Sequence, residues 1–176
     1  SPQFQDVFFL CLMLGFGVLA GMWPFHTWSP DGHVAAPTSV SMLHAGVLMK
    51  LGAFGIIRIA VTLMPEGAET WMPLLFALGL VNVVYGAFSA MGQTDLKYVI
   101  GYSSVSHMGY VLMGIATLNT LGMSGAVLQM FSHGVMTALF FAVVGMIYER
   151  THTRDTLILN GLAKKMTVIA ILFSMA

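Results

Sequence analysis

Three ionisable side chains stand near the middle of long apolar stretches: Lys50, His107 and His133. Lys50 lies twelve residues after Thr38 and fourteen before Met64. At a helical rise of about 1.5 Å per residue that is roughly 18 Å from one end, near the centre of a bilayer. A lysine at that depth costs at least about 2.5–3.5 kcal/mol, so it normally faces protein or water and marks a pathway. His107 lies nine residues after Tyr98 and eleven before Leu118, and His133 lies ten after Met123. Both therefore fall near the same depth. An imidazole titrates at about pH 6.5 and both gives and accepts a proton. A desolvated amine releases its proton more readily than one in water. Three such groups at one level on three helices are the parts of a proton relay. The bland alternative is a lysine paired with a buried carboxylate and two satisfied core histidines.

The same residues are compatible with other chemistry. His107 and His133 could be axial ligands of a b-type haem between their helices. No carboxylate or thiolate cluster accompanies them, so zinc is not indicated. The fifteen methionines form no run with copper-ligand spacing and read as core filler. The expectation is no metal. A single cysteine, Cys11, excludes a disulfide scaffold and reads as a small side chain in lipid or packing. Arg58, six residues before Met64, reads as a snorkelling structural residue. Lys97 stands with Asp95 at a turn, where it either anchors the interface or takes up protons.

The elements that must hold these groups follow from composition and run length. Only 8% of residues are charged, against about 25% in soluble domains. Hydrophobic residues make up 57%, and mean hydropathy is +0.85. A soluble globule and a disordered chain are excluded. Seven cationic side chains balance seven acidic ones. There is thus no basic stripe to grip phosphates, and nucleic acid is not a partner. A bilayer core needs about 20 apolar residues in a helix. Such stretches run from Val7 to Trp23, Thr38 to Met64, Trp71 to Met91, Tyr98 to Leu118 and Met123 to Tyr148, with a sixth starting at Met166. No alternation of period two runs through them, so a barrel is not expected. The fold class is all-α, a polytopic transmembrane helix bundle of five complete spans plus a truncated sixth.

Between the first two spans, Pro24 to Pro37 holds three prolines that interrupt a straight helix. Pro65 to Thr70 reads as a short acidic turn, and Glu149 to Lys165 as the one long polar connection. Lys97, Arg150, Arg154, Lys164 and Lys165 all fall on connections of one side, which places that side in the cytoplasm. Gly46, Gly52, Gly55, Gly79 and Gly86 inside spans predict close helix contacts. The chain has no initiator Met and stops within an apolar run. Residues 1–176 are expected to be one membrane domain, the middle portion of a longer subunit.

One segment and several shorter motifs carry a family resemblance. They are Pro24-Phe25-His26-Thr27-Trp28, Pro30-Asp31, His33, Ala36-Pro37-Thr38 and Ala45-Gly46-Val47-Leu48-Met49-Lys50-Leu51-Gly52. Further along stand Gln93-Thr94-Asp95-Leu96-Lys97 and Ser103-Ser104-Val105-Ser106-His107-Met108-Gly109. Together these resemble the proton-antiporter-type membrane subunits of respiratory complex I. Tyr148-Glu149-Arg150-Thr151-His152-Thr153-Arg154-Asp155 is similar to the branch called subunit M, or subunit 4 in mitochondria. The resemblance implies a fourteen-helix subunit with a discontinuous helix near Pro24, and it implies that Lys50, His107 and His133 lie on a central hydrophilic axis. It implies no cofactor in this chain, because NADH, FMN, iron–sulfur clusters and quinone belong to partner subunits. It also implies that acidic or charged residues of that axis lie before Ser1 and beyond Ala176. The family usually carries a lysine five residues before the proline matching Pro24, where this chain has Leu19.

The expected function is proton translocation in an NADH:quinone oxidoreductase, through a mid-membrane Lys/His relay driven by electron transfer in other subunits. Its partners are other complex I membrane subunits, the lipid bilayer and protons, and its location is a bacterial inner membrane. A cation/proton antiporter subunit and the membrane arm of a hydrogenase are the rivals. His44, six residues before Lys50, is the candidate to fill the place left by Leu19, provided it faces the first span.

Overall fold

A computed structural model describes residues 1–176. In chain order the helices are α1 (Pro2–Ala20), α2 (Trp28–Ala35) and the span Thr38–Val61, then α5 (Pro65–Met91), α6 (Leu96–Ala116) and α7 (Thr120–Thr151). The span Thr38–Val61 consists of α3 (Thr38–Leu43), a π-helical turn His44–Leu48, α4 (Met49–Gly55) and a second π segment Ile56–Val61. The chain ends with α8 (Leu162–Lys165) and α9 (Thr167–Met175). The five long elements are each long and apolar enough to cross a membrane, as expected. The only non-helical pairing is an isolated antiparallel bridge between Asp95 and Asp155.

Several helix ends shift from the expected ones by a few residues, and two of the differences have a clear physical cause. The first helix stops at Ala20 rather than Trp23, because Gly21 adopts a left-handed conformation with φ 77°. Its C-terminal turn closes with Met22 N–H donating to Gly17 O at 2.8 Å. The stretch Pro65 to Thr70 is not a turn but the start of α5. Proline fits a first helical position because no intrahelical donor is lost there, and Glu66 complements the helix dipole. The Trp71 indole also ties this turn to α1 by donating to Asp6 O at 3.0 Å.

Packing against lipid gains little from hydrophobic transfer, so close contact of small residues must hold the bundle. α5 and α6 meet through glycines on both sides. A side chain at Gly79 would strike the Gly109 carbonyl, and one at Gly86 would strike Ser106 backbone. Gly52 lies on the α1 backbone at Phe16 and Ala20. Gly46 meets Gly134, which brings the span Thr38–Val61 and α7 together beside Lys50. A continuous core of Phe9, Met13, Met49, Leu75, Met108 and Leu112 fills the centre.

The discontinuous helix is present as α1, a break, and α2. Its exposed backbone groups are met by Asn82, in the middle of α5. The amide oxygen accepts from Trp23 N–H at 2.6 Å, and the amide nitrogen donates to Gly21 O at 2.9 Å and Val105 O at 3.3 Å. Asn82 is fully buried. At one end of the bundle the connection between α5 and α6 meets the one between α7 and α8. Leu96 N–H donates to Arg154 O and Thr156 N–H to Thr94 O, and Arg154 pairs with Asp95 at 3.0 Å.

Candidate functional site

Lys50, His133 and His107 form one cluster. Lys50 enters it from the first turn of α4, immediately after the π-helical turn. The Lys50 amine donates to the Ala45 carbonyl in that turn and lies 2.7 Å from His133 Nδ1. π-Helical turns are frequent at functional sites, since an extra residue re-aims the backbone. Lys50 is 7% exposed and His133 is 1% exposed. The small residues Gly46 and Gly134 allow this reach, because a side chain at Gly134 would lie 2.9 Å from the Gly46 carbonyl. With Lys50 as donor, Nδ1 of His133 accepts and the neutral ring carries its proton on Nε2. That buried Nε2 has no partner.

The His107 ring stacks on His133 at 5.0 Å between centroids and 26° between planes. Its Nδ1 lies 3.0 Å from Gln129 Nε2. Gln129 and His133 are four residues apart on α7 and share one face. Stacked imidazoles direct their N–H bonds outward in the ring planes. A proton passing between them therefore needs an intervening hydrogen-bonding group or a turn of one ring. The haem alternative requires the two imidazoles on opposite faces of a macrocycle, whereas here they lie directly against each other.

His44 and Lys97 lie outside this cluster. The His44 ring does not face α1 beside Leu19, as the substitution idea requires. It packs on α2, 5.0 Å from Trp28 and 4.7 Å from His33. The contact of this span with α1 falls at Gly52, against Ala20. Gly52 is eight residues beyond His44, or about 12 Å along a helix, so the depths do not match. Trp28 bridges the two, donating from its indole to Val18 O at 2.9 Å. Lys97, in the first turn of α6, is 5% exposed and turned into the bundle. Its amine donates to Ala36 O, the C-cap carbonyl of α2, at 2.6 Å and to Ser41 Oγ at 3.4 Å. A cation there satisfies an orphan carbonyl and complements the helix dipole. Arg58 is exposed, and Cys11 is exposed.

Three contributors were not singled out from sequence. Gln129 could have been found from its spacing of four before His133. Asn82 is a lone amide in the run Leu80-Val81-Asn82-Val83-Val84, and an isolated polar group at that depth signals a partner. His33 is fully buried against His44 and Phe141, and lies 3.3 Å from Ser29 Oγ. Its part depends on α2, whose helical form the prolines around it conceal.

Comparison with known proteins places this geometry in a family. A family profile described as "NADH:quinone oxidoreductase/Mrp antiporter, TM" matches residues 3–176. NAD(P)H-quinone oxidoreductase chain 4 of Gloeobacter violaceus is 45% identical over 174 residues, covering 99% of this chain and 33% of its own length. NADH-quinone oxidoreductase subunit M of Rhodobacter capsulatus is 45% identical over 169 residues, covering 96% of this chain and 33% of its own length. The chain thus spans about a third of these relatives. Among solved structures, respiratory complex I from Thermus thermophilus with bound NADH matches with TM-score 0.90 and 31% identity, over 96% of this chain and 37% of that one. The Mrp complex from Dietzia sp. shares the fold, with TM-score 0.90 and 22% identity over 96% of this chain and 31% of that one. An archaeal membrane-bound sulfane sulfur reductase matches with TM-score 0.91 and 25% identity, over 99% of this chain and 36% of that one. The chain, an integral membrane helix bundle built around a buried lysine and two stacked histidines, belongs to the NADH:quinone oxidoreductase/Mrp antiporter transmembrane family.

Proposed function

We propose that this chain is the central portion of a proton-translocating membrane subunit of NADH:quinone oxidoreductase, with Lys50, His133 and His107 as the proton-carrying groups. The observation that carries the reading is the 2.7 Å contact between the Lys50 amine and His133 Nδ1 inside a buried site. Direct contact lets the amine hand a proton to the ring, leaving a neutral amine and an imidazolium. The reverse step restores the starting state. Coupling to electron transfer elsewhere works by changing hydration and charge near this pair, which alters the cost of holding the proton on nitrogen. In this reading the chain holds no redox cofactor; NADH, FMN, iron–sulfur clusters and quinone are handled by partner subunits. The subunit sits among other membrane subunits in a bacterial inner membrane, with the Lys97 and Arg154 end toward the cytoplasm. The test is proton translocation by the assembled complex in vesicles energised with NADH and a quinone. Lys50→Ala should assemble and pump poorly; full pumping would overturn the reading.

A second reading is a cation/proton antiporter subunit, or the membrane arm of another respiratory complex such as an energy-converting hydrogenase. The fold shared with the Mrp and sulfane sulfur reductase complexes favours it. In that case an imposed sodium gradient moves protons through the complex without NADH.

A further inference from the structure

We propose that Gln129 is the positioning residue of His107, and that its amide turns over to match the charge of the ring. The inference rests on the proton-carrying role of His107 proposed above. The Gln129 Nε2 lies 3.0 Å from His107 Nδ1, with both side chains half-buried between α6 and α7. In that orientation the amide donates, Nδ1 accepts, and the neutral ring carries its proton on Nε2. A proton arriving at Nδ1 abolishes the acceptor. The amide then needs only a half-turn about its terminal bond to present its oxygen to the new N–H. Glutamine holds donor and acceptor at the same end of one side chain, so one residue satisfies both charge states. Neither a hydrocarbon nor a carboxylate does so.

The surroundings make this partner matter. His133 presents its face to His107 rather than a lone pair, with the rings 5.0 Å apart. Tyr110, on the same helix as His107, is 6.2 Å away by ring centroid. Lys50, on the neighbouring span, is bonded to His133 and to the Ala45 carbonyl. No carboxylate of the chain forms an ion pair with any of these groups, the one ion pair being Arg154 with Asp95. Gln129 is therefore the hydrogen-bond partner that fixes which His107 nitrogen holds the proton. Lys50, His133 and Tyr110 are the titratable groups that face it.

The sign of two substitutions separates this role from simple packing. Gln129→Glu places an acceptor-only carboxylate at Nδ1 and favours the imidazolium. The pH profile of translocation should move to the alkaline side by about one unit. Gln129→Met keeps the length, removes both hydrogen-bonding functions and disfavours the imidazolium, so the profile should move to the acid side. The experiment measures protons translocated per NADH oxidised, from pH 5.5 to about 8.5, in vesicles carrying the full-length subunit in its assembled complex. Wild type, Gln129→Glu, Gln129→Met, His107→Ala and the double variant Gln129→Glu/His107→Ala are compared. Opposite shifts that vanish when His107 is absent support the proposal. Unshifted profiles while His107→Ala lowers translocation overturn it and leave the relay standing. A Gln129→Glu shift that persists without His107 also overturns it. Unchanged translocation by His107→Ala removes His107 from the relay, and the proposal falls with that reading.

Discussion

Lys50 on α4 is paired with an imidazole, His133 on α7, and not with a carboxylate. The distinction decides what the pair can do. A buried lysine beside a carboxylate forms a stable ion pair that resists proton loss. A lysine beside a neutral imidazole has a partner that can take its proton and return it. The first prediction follows from this contact. Lys50→Ala should lower translocation at least tenfold in an assembled complex. Lys50→Arg should not rescue it, because guanidinium stays protonated and is too wide for the same contact. Vesicle acidification measured beside quantified subunit content checks both.

The contact depends on backbone approach at Gly46 and Gly134. Gly134→Ala places a methyl 2.9 Å from the Gly46 carbonyl, and backbone cannot yield cheaply. Overpacking of this kind costs about 1–3 kcal/mol. The helices should part by a few tenths of an ångström and lengthen the Lys50–His133 contact. Translocation should fall more than complex stability does, as read by activity against thermal unfolding of the detergent-solubilised complex.

The spans and the placing of Lys50, His107 and His133 mid-span were legible because apolar run length and helical rise are arithmetic on the sequence. The structure brings these three groups together. What linear spacing does not carry is rotation about each helix and the effect of a break. Depth alone is compatible with His44 facing α1, but the π-helical turn and the inserted α2 direct it onto Trp28 and His33. Lys97 reads as an interface anchor or an uptake group because it stands with Asp95 at a turn. Its burial arises from the C-terminus of α2, a helix hidden by the prolines on either side.

Because His44 packs on α2, its removal should loosen that half-helix rather than eliminate a proton carrier. His44→Ala should keep more than half of wild-type translocation. It should also raise the reactivity of a cysteine introduced at Ser29 toward a small membrane-permeant thiol reagent. Loss of translocation comparable to Lys50→Ala would restore His44 as a carrier in place of the lysine absent at Leu19.

Asn82 closes the broken helix by satisfying Trp23 N–H and two carbonyls. Asn82→Leu leaves Trp23 N–H and Gly21 O at the break unpaired, at about 1–3 kcal/mol each. The complex should lose thermal stability by several degrees or fail to incorporate the subunit. Asn82→Asp retains the acceptor for Trp23 but removes both amide donors, so it should also destabilise. Equal stability of both variants and wild type would show that water meets the break instead.

Lys97 allows a cap to be told apart from a proton-uptake group. As a cap, its positive charge must reach the Ala36 carbonyl at the end of α2, and proton exchange is irrelevant. Lys97→Arg keeps a permanent cation with donors of similar reach, whereas Lys97→Met keeps the stem and loses the donor. The Met variant leaves the Ala36 carbonyl with only the long 3.4 Å bond from Ser41 Oγ and removes the charge that complements the helix end. Under the capping role, Arg should retain most of the translocation, while Met should lower it together with stability. Under proton uptake, Arg should fail as badly as Met, because a guanidinium does not release its proton at any pH the complex survives. The geometry favours the cap, since two bonds hold the amine in place and its nearest carbonyl ends a helix that moves if released. Translocation rates and thermal stability of the three complexes, measured side by side, decide between the two.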